Sequence, residues 1–366
     1  MFTLPARYFT DPALFNAEIE RHFARGWMCV GRDEDSPSPG DFRLIEALGE
    51  SLLLVRGDDL TLRAFFNVCR HRGTQLCEAS RGRFTGRIQC PYHAWTYALD
   101  GQLLGAPHMA DAEGFDAGRY PLHQAACSVW DGHVFVNLSS SAAPLLPRRL
   151  DLPEKFAPWS MARLRRVHEV VYDVRANWKL ILQNYSECLH CPFVHPALQA
   201  LSHYLSGENE PANSAYAGGR MTLKPGIATL SMDGTAAGRA CLPGLSDLDR
   251  QQVAFYAILP NLLLSLHPDY MLTHTLWPLS CDRTTIVCQW HVAPEELQRP
   301  GFTIQDAVDF WDLTNRQDWH VSELTQRGVQ SRSYTPGPYS TRETLLHEFD
   351  RIVTGHPHPD PSAEDD

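Results

Sequence analysis

Two short runs, Cys69-Arg70-His71-Arg72-Gly73 and Cys90-Pro91-Tyr92-His93-Ala94-Trp95, decide how this chain is to be read. Together they give C-x-H, an 18-residue spacer and C-x-x-H, so each loop brings one thiolate and one imidazole. Thiolates hold ferric iron well, and neutral imidazoles on a second iron reduce the net negative charge and raise the potential of a two-iron, two-sulfur cluster. Two Cys and two His also suit tetrahedral zinc. Zinc fingers, however, pair Cys with Cys and His with His in sequence, whereas here each loop is mixed. Buried thiols beside unrelated histidines would need the same coincidence twice.

Outward from these loops the pattern is that of short strands. Residues 41–45, 51–56, 62–66, 87–90, 95–99 and 134–138 read as strands, with Asp100-Gly101 and Asp131-Gly132 as turn dipeptides beside them. This predicts an antiparallel β domain over 36–145. Before it, Phe15, Ile19, Phe23 and Trp27 recur at four-residue steps and predict a docking helix over 7–31, within an N-terminal helical segment 1–35. After it, Ser139-Ser140-Ser141-Ala142-Ala143-Pro144 has linker composition. The second domain, 146–356, reads as a helix (177–190), a Gly- and Pro-rich stretch (205–245), strands at 253–259, 262–266, 271–277 and 284–292, and a long helix (303–328). The fold class is therefore α+β, an antiparallel sheet covered by helices following an all-β domain. Residues 357–366 read as a disordered acidic tail.

A second constellation lies in Asn177-Trp178-Lys179, continuing through Glu187-Cys188-Leu189-His190-Cys191-Pro192 to His195-Pro196. Asn177 is a good N-cap, and Glu187 and His190 are three apart, neighbours on one helix face. His195 cannot continue that face, because Pro192 and Pro196 disturb the helix; a helix end and a turn are needed to bring both imidazoles to one ion. Two His and one carboxylate make the facial triad of non-haem Fe(II) oxygenases. Asp318 is the preferred carboxylate: it shares a stripe with Trp311, Thr314, Val321 and Thr325, where an acid needs a cation or donors. Asp312 and Glu323 project elsewhere. Cys188 and Cys191 read as separate packing thiols, and Asn184 as a residue that orients a ligand or faces solvent. His203, His267, His274 and His291 show no partner pattern.

At these residues the chain resembles the Rieske oxygenase α subunits, whose loops read C-x-H-R-G and C-P-[YW]-H-[GA]-W and whose catalytic motif reads N-W-K followed by [DE]-x₂-H-x₄-H. The resemblance runs from about residue 15 to about 355. It implies a helix-grip catalytic domain, a [2Fe-2S] cluster on Cys69, His71, Cys90 and His93, and a mononuclear iron on His190, His195 and Asp318. Tyr92 and Trp95 would stand behind the cluster ligands. Glu187 takes the place of the carboxylate that carries electrons between subunits, which implies a homotrimer. The E-C-x-H-C-P run, with Gln317-Asp318, Gln326-Arg327-Gly328 and Gly337-Pro338-Tyr339-Ser340, resembles the choline, carnitine and glycine betaine monooxygenase branch. Relatives with aromatic substrates use similar motifs, so an aromatic substrate stays open, as does mono- versus dioxygenation.

Composition sets the remaining bounds. With 43 acids against 32 bases the formal charge is −11, unsuited to neutralising phosphates, so nucleic acid is not an expected partner. The sequence shows neither an apolar run long enough for a membrane span nor a leader-like start, and a cytoplasmic protein is expected. There is no G-x-G-x-x-G fingerprint, so NAD(P)H acts indirectly, through a separate flavin or iron–sulfur reductase. The expected reactants are O₂ and a small organic molecule; a quaternary ammonium would need a cage of aromatic faces. The alternative of another class is an electron carrier or iron–sulfur sensor without oxygenase activity.

Overall fold

The computed structural model describes residues 1–145, 152–210 and 215–355; the acidic tail, a short run beyond the linker and four residues of the Gly- and Pro-rich stretch lie outside them. The chain divides into two compact units: Ala24–Leu145, and Met1–Phe23 together with the chain beyond 145.

The first unit holds strands β1 (Met28–Arg32), β2 (Asp41–Ala47), β3 (Glu50–Arg56), β4 (Leu62–Phe66), β5 (Arg81–Arg83), β6 (Arg87–Gln89), β7 (Thr96–Ala98), β8 (Leu103–Gly105), β9 (Gln124–Trp130) and β10 (His133–Asn137). Seven of them form one sheet in the order β1-β10-β9-β4-β3-β2-β5, and β6-β7-β8 form a small second one. Leu53, Val55, Phe65, Ile88, Trp95, Tyr97 and Leu122 make a core that also contains Cys69 and Cys90.

The helix expected over 7–31 is divided. Helix α1 (Arg7–Thr10) is followed by α2 (Pro12–Glu18), begun by Asp11, whose carboxylate accepts from the Ala13 amide at 2.7 Å. A π turn follows (Ile19–Ala24), and then β1. Met28, Cys29 and Val30 are all buried, a continuous apolar run that suits a strand covered on both faces and not one stripe of a helix. So the expected 1–35 segment splits: Met1–Phe23 packs with the second unit, and the β unit starts before residue 36.

In the second unit the helices are α3 (Leu152–Phe156), α4 (Trp178–Tyr185), α5 (Cys191–Val194), α6 (Pro196–Leu201), α7 (Gln305–Val329) and α8 (Thr344–Thr354). The strands are β11 (Arg165–Val174), β12 (Glu208–Asn209), β13 (Tyr216–Thr222), β14 (Gln252–Ile258), β15 (Leu262–Leu266), β16 (Tyr270–Ser280) and β17 (Arg283–Val292). They form one antiparallel sheet, β11-β17-β16-β15-β14-β13-β12, with α4 and α7 against it. Gly218 is required where β13 meets β14, because a Cβ there would lie 2.2 Å from the Phe255 carbonyl oxygen. The Gly337–Ser340 motif ties down the N-terminus: the Thr3 amide donates to the Gly337 carbonyl at 2.9 Å and the Tyr339 amide to the Met1 carbonyl at 3.0 Å. No helix among the described residues is long and apolar enough to cross a membrane.

Candidate iron centres

In the first unit Asn67, fully buried after β4, staples the first loop. Its Oδ1 accepts from the Leu76 and Cys77 amides at 2.9 and 3.0 Å, and its Nδ2 donates to the Cys77 carbonyl at 2.7 Å. The second loop is closed by the Cys90 amide donating to the Trp95 carbonyl at 2.8 Å. Tyr97, on β7, joins the two: its hydroxyl accepts from the Arg70 amide at 3.1 Å and lies 3.4 Å from Cys69 Sγ. Nothing in the spacing of the loops singles out Tyr97 as that brace.

The four residues picked from the sequence come together here. Cys69 and Cys90 are buried, while the His71 and His93 rings, 4.8 Å apart, stand half-buried at the surface side. Trp95 is buried and stacks on His71 at 4.9 Å; Tyr92 is exposed and lies 3.7 Å from the His93 ring. His71 Nδ1 is buried with no hydrogen-bond partner. An orphaned imidazole nitrogen costs about 1–3 kcal/mol unless something ligates it, so the donor set suits a cluster with sulfur inward and imidazole outward.

In the second unit, the helix expected over 177–190 ends at Tyr185. Asn177 caps its start, accepting from the Lys179 amide at 3.0 Å. Beyond Ser186 the Glu187 carboxylate accepts from the Leu189 amide, a side-chain bond that removes a donor from the helical ladder and turns the chain. Glu187 and His190 are thus neighbours through a turn and not through a helix face. The bend, with α5 and α6 after it, sets the His190 and His195 rings 5.2 Å apart.

Asp318 reaches them from α7. Its Oδ1 lies 2.8 Å from His195 Nε2 and 3.3 Å from His190 Nε2. Of the expected stripe, Trp311 and Thr314 are buried, but Val321 and Thr325 are not; at 3.6 residues per turn the inner face continues through Asn315, Ser322 and Gln326. Asp312 instead accepts from the Tyr172 hydroxyl at 2.7 Å, and Glu323 from the Arg175 amide at 3.0 Å.

The outer ring nitrogens are also committed. His195 Nδ1 donates to Gln317 Oε1 at 2.8 Å, and Glu187 Oε1 is 2.5 Å from His190 Nδ1. A proton held on each Nδ1 leaves Nε2 as the atom that can exchange the proton it shares with Asp318 for a metal, the tautomer metal binding needs. Burial opposes charge on His190, but bonds to Asp318 and Glu187 outweigh it and push its pKa up to about 10. Burial likewise opposes charge on Asp318, and the two imidazoles still hold it below the usual carboxylate range. Two acids against two imidazoles call for positive charge at this point, and a divalent cation on the three inner donors supplies it. Asn184 Nδ2 is 3.5 Å from His190 Nε2, within reach of the same atom.

Cys188 and Cys191 depart from expectation: they form a disulfide, with Cα atoms 5.0 Å apart. Because the helix has ended, they do not sit on consecutive turns, and the turn brings them within bridging range. Cys191 Sγ lies 3.9 Å from His190 Nε2, and its ligand atom groups with those of the two histidines within 4.8 Å. A disulfide sulfur offers no thiolate, so Asp318 is the better third donor. Of the remaining histidines, His274 is buried and bonds Asn315 at 3.1 Å, and burial lowers its pKa to about 4; His267 stacks on Tyr270 at 3.9 Å.

A cavity of about 130 Å³ opens beside the His190, His195 and Asp318 cluster. Tyr185, Tyr204, Phe255 and Trp311 line it, four aromatics scattered over 127 positions that only the fold collects.

Residues 161–356 match the family described as the ring hydroxylating alpha subunit (catalytic domain), and residues 26–121 match the Rieske [2Fe-2S] domain. The glycine betaine monooxygenase oxygenase subunit of Chromohalobacter salexigens is 30% identical over 92% of this chain and 82% of its own length. The carnitine monooxygenase oxygenase subunit of Acinetobacter pittii is 35% identical over 91% of this chain and 86% of its own. Among solved structures, a quaternary ammonium Rieske monooxygenase, described in connection with carnitine oxidation and inter-subunit electron transfer, superposes with a TM-score of 0.80 at 24% identity over 97% of this chain and 95% of the other, a likeness of fold.

Proposed function

Because the chain belongs to the ring-hydroxylating alpha-subunit family and carries that family's Rieske domain ahead of the catalytic one, we propose that it is the oxygenase component of a quaternary ammonium monooxygenase. Its substrate is of the betaine, carnitine or choline kind, hydroxylated with O₂ so that N-demethylation or C–N cleavage follows. Electrons come from a separate NAD(P)H-dependent reductase. The observation that carries the substrate class is the wall of Tyr185, Tyr204, Phe255 and Trp311 beside the three-donor cluster. A quaternary nitrogen has no N–H to donate, and aromatic faces are what binds it. The relatives named for glycine betaine and carnitine point the same way.

Cys69, His71, Cys90 and His93 would hold the [2Fe-2S] cluster, and His190, His195 and Asp318 the mononuclear iron. When bound, the cluster stores one electron at a time and the Fe(II) activates O₂. Gln317 and Glu187 keep the two imidazoles in the ligating tautomer. Glu187, bonded to His190, would pass it an electron from a histidine of another subunit's Rieske domain. That route makes a homotrimer the working assembly, and a cytoplasmic location supplies the reductase. The cavity's aromatic walls keep water from the reacting C–H bond.

The test is mass-spectrometric product analysis with a generic reductase, NADH, O₂ and a panel of quaternary amines and aromatic acids. The proposal predicts hydroxylation or dealkylation of a quaternary amine. Oxidation of an aromatic acid alone, or reoxidation of the cluster with no product from any compound, would overturn it.

A further inference from the structure

Among the described residues, six acidic, basic or imidazole side chains line the cavity: Glu187, His190, His195, Arg220, Asp318 and Arg342. Glu187, Asp318 and the two histidines bond one another. Arg220 is also committed, with Nη1 2.5 Å from Asp249 Oδ1 and its guanidinium over the Trp159 ring at 5.4 Å. Arg342 differs: its backbone is anchored, and its guanidinium forms no ion pair or hydrogen bond with any described residue.

The anchoring is local. The Arg342 amide donates to Ser340 Oγ at 3.3 Å, and the Ser340 amide donates to Glu343 Oε2 at 2.7 Å. The same turn is held from beneath by the Tyr339 hydroxyl donating to Asp350 at 2.7 Å, and from the side by Met1–Thr3. Arg342 therefore stands exposed at the cavity's rim on a fixed base, just ahead of α8. Among the described residues the uncommitted charge of the cavity is positive, in a site proposed to bind a cation. A bare cation such as choline is repelled by it, whereas a zwitterion brings its own compensating carboxylate.

We infer that Arg342 pairs with a carboxylate of the substrate, so that the enzyme selects carboxylate-bearing quaternary amines over simple cationic ones. This rests on the quaternary ammonium reading above. Guanidinium suits the role, since its planar fork matches a carboxylate bidentately. At a partly solvated rim one such contact is worth about tenfold in KM.

The experiment compares glycine betaine and carnitine with choline and carnitine methyl ester, in steady-state turnover and in equilibrium titration of the anaerobic, fully loaded protein. Wild type should favour the carboxylates. In Arg342→Gln, KM and Kd for the carboxylates should rise about tenfold while those for choline and the ester fall, and R342K should keep part of the preference. Opposite shifts for the two classes are something a merely structural defect does not produce. If quaternary amines are oxidised but R342Q weakens both classes alike, or wild type shows no preference, the role of Arg342 is wrong and the proposed function stands. If no quaternary amine binds or reacts, both fall.

Discussion

Replacing Gln317 by Leu removes the acceptor that His195 uses to fix its tautomer, at 2.8 Å from Nδ1. His195 is 1% exposed, so water does not take Gln317's place. Left with its proton on Nδ1, the ring carries an unmet buried donor, at a cost of about 1–3 kcal/mol. It escapes by moving the proton to Nε2, but that nitrogen then donates to Asp318, 2.8 Å away, and has no lone pair for a metal. Either way iron binding in the catalytic unit should weaken by about 1.4–2.7 kcal/mol, which is 10- to 100-fold. Anaerobic Fe(II) titration against a chelator reads this directly, with the cluster's visible absorbance as an internal standard for folding of the other unit. Gln317→Glu, which keeps an acceptor and adds charge, should hold iron at least as well as wild type. An affinity for Q317L within twofold of wild type would refute the reasoning, as would equal weakening in both variants.

Glu187→Gln should retain both metals yet lose most turnover with O₂ and reductase, while hydrogen peroxide, which needs no electron from the cluster, still gives product; equal loss of both would make Glu187 structural. Lys179 and Glu18 form a buried ion pair that fastens α2 to α4, with burial pushing the acid up and the amine down. Lys179→Met strands Glu18 and should destabilise the second unit by about 3–5 kcal/mol, with K179M combined with Glu18→Leu recovering most of it in denaturant titrations; a single-variant effect below about 1 kcal/mol would count against the pairing. Burial pushes Asp350 up to about 7, despite its bonds to Tyr339 and Gln183 and the nearby Lys179. The folded state thus keeps a proton that the unfolded chain releases near 3.8, so stability should fall as pH rises from about 4 to about 7, by at most about 4 kcal/mol, and level off above. Asp350→Asn should flatten that slope in melting curves, and an unchanged slope would remove Asp350 as its cause.

The parts of the molecule that could be read from the chain were those fixed by local chemistry. The C-x-H and C-x-x-H loops do bring their Cys and His side chains together, and β14 to β17 announce themselves as apolar runs between turns. Asp318 does meet the two histidines, as an acid on an inward stripe that needs compensation would. What the chain hid depends on contacts distant in sequence or on competition between nearly equal local states. Helix α4 ends at Tyr185 because a carboxylate two residues on captures a backbone amide, which periodicity does not register. Cys188 and Cys191 pair only because that turn exists. Met28–Val30 looked helical by spacing, and a strand won because both faces are covered. β11 and β13 were missed: β11 has only two fully buried residues of ten, and β13 carries two glycines where bulky strand formers are the usual signal. Gln317 stood inside a motif quoted for its pattern and Arg342 in none, and neither the hydrogen bond to His195 nor the absence of an ion partner for Arg342 among the described residues is visible before three dimensions.

The most direct test of the whole account is the iron count of anaerobically prepared, fully loaded protein, taken beside a variant in which His190 and His195 are both replaced by Ala. The account predicts three irons per chain in wild type and two in the double variant, with two labile sulfides in each. Two irons in wild type, or no difference between the two proteins, would contradict it.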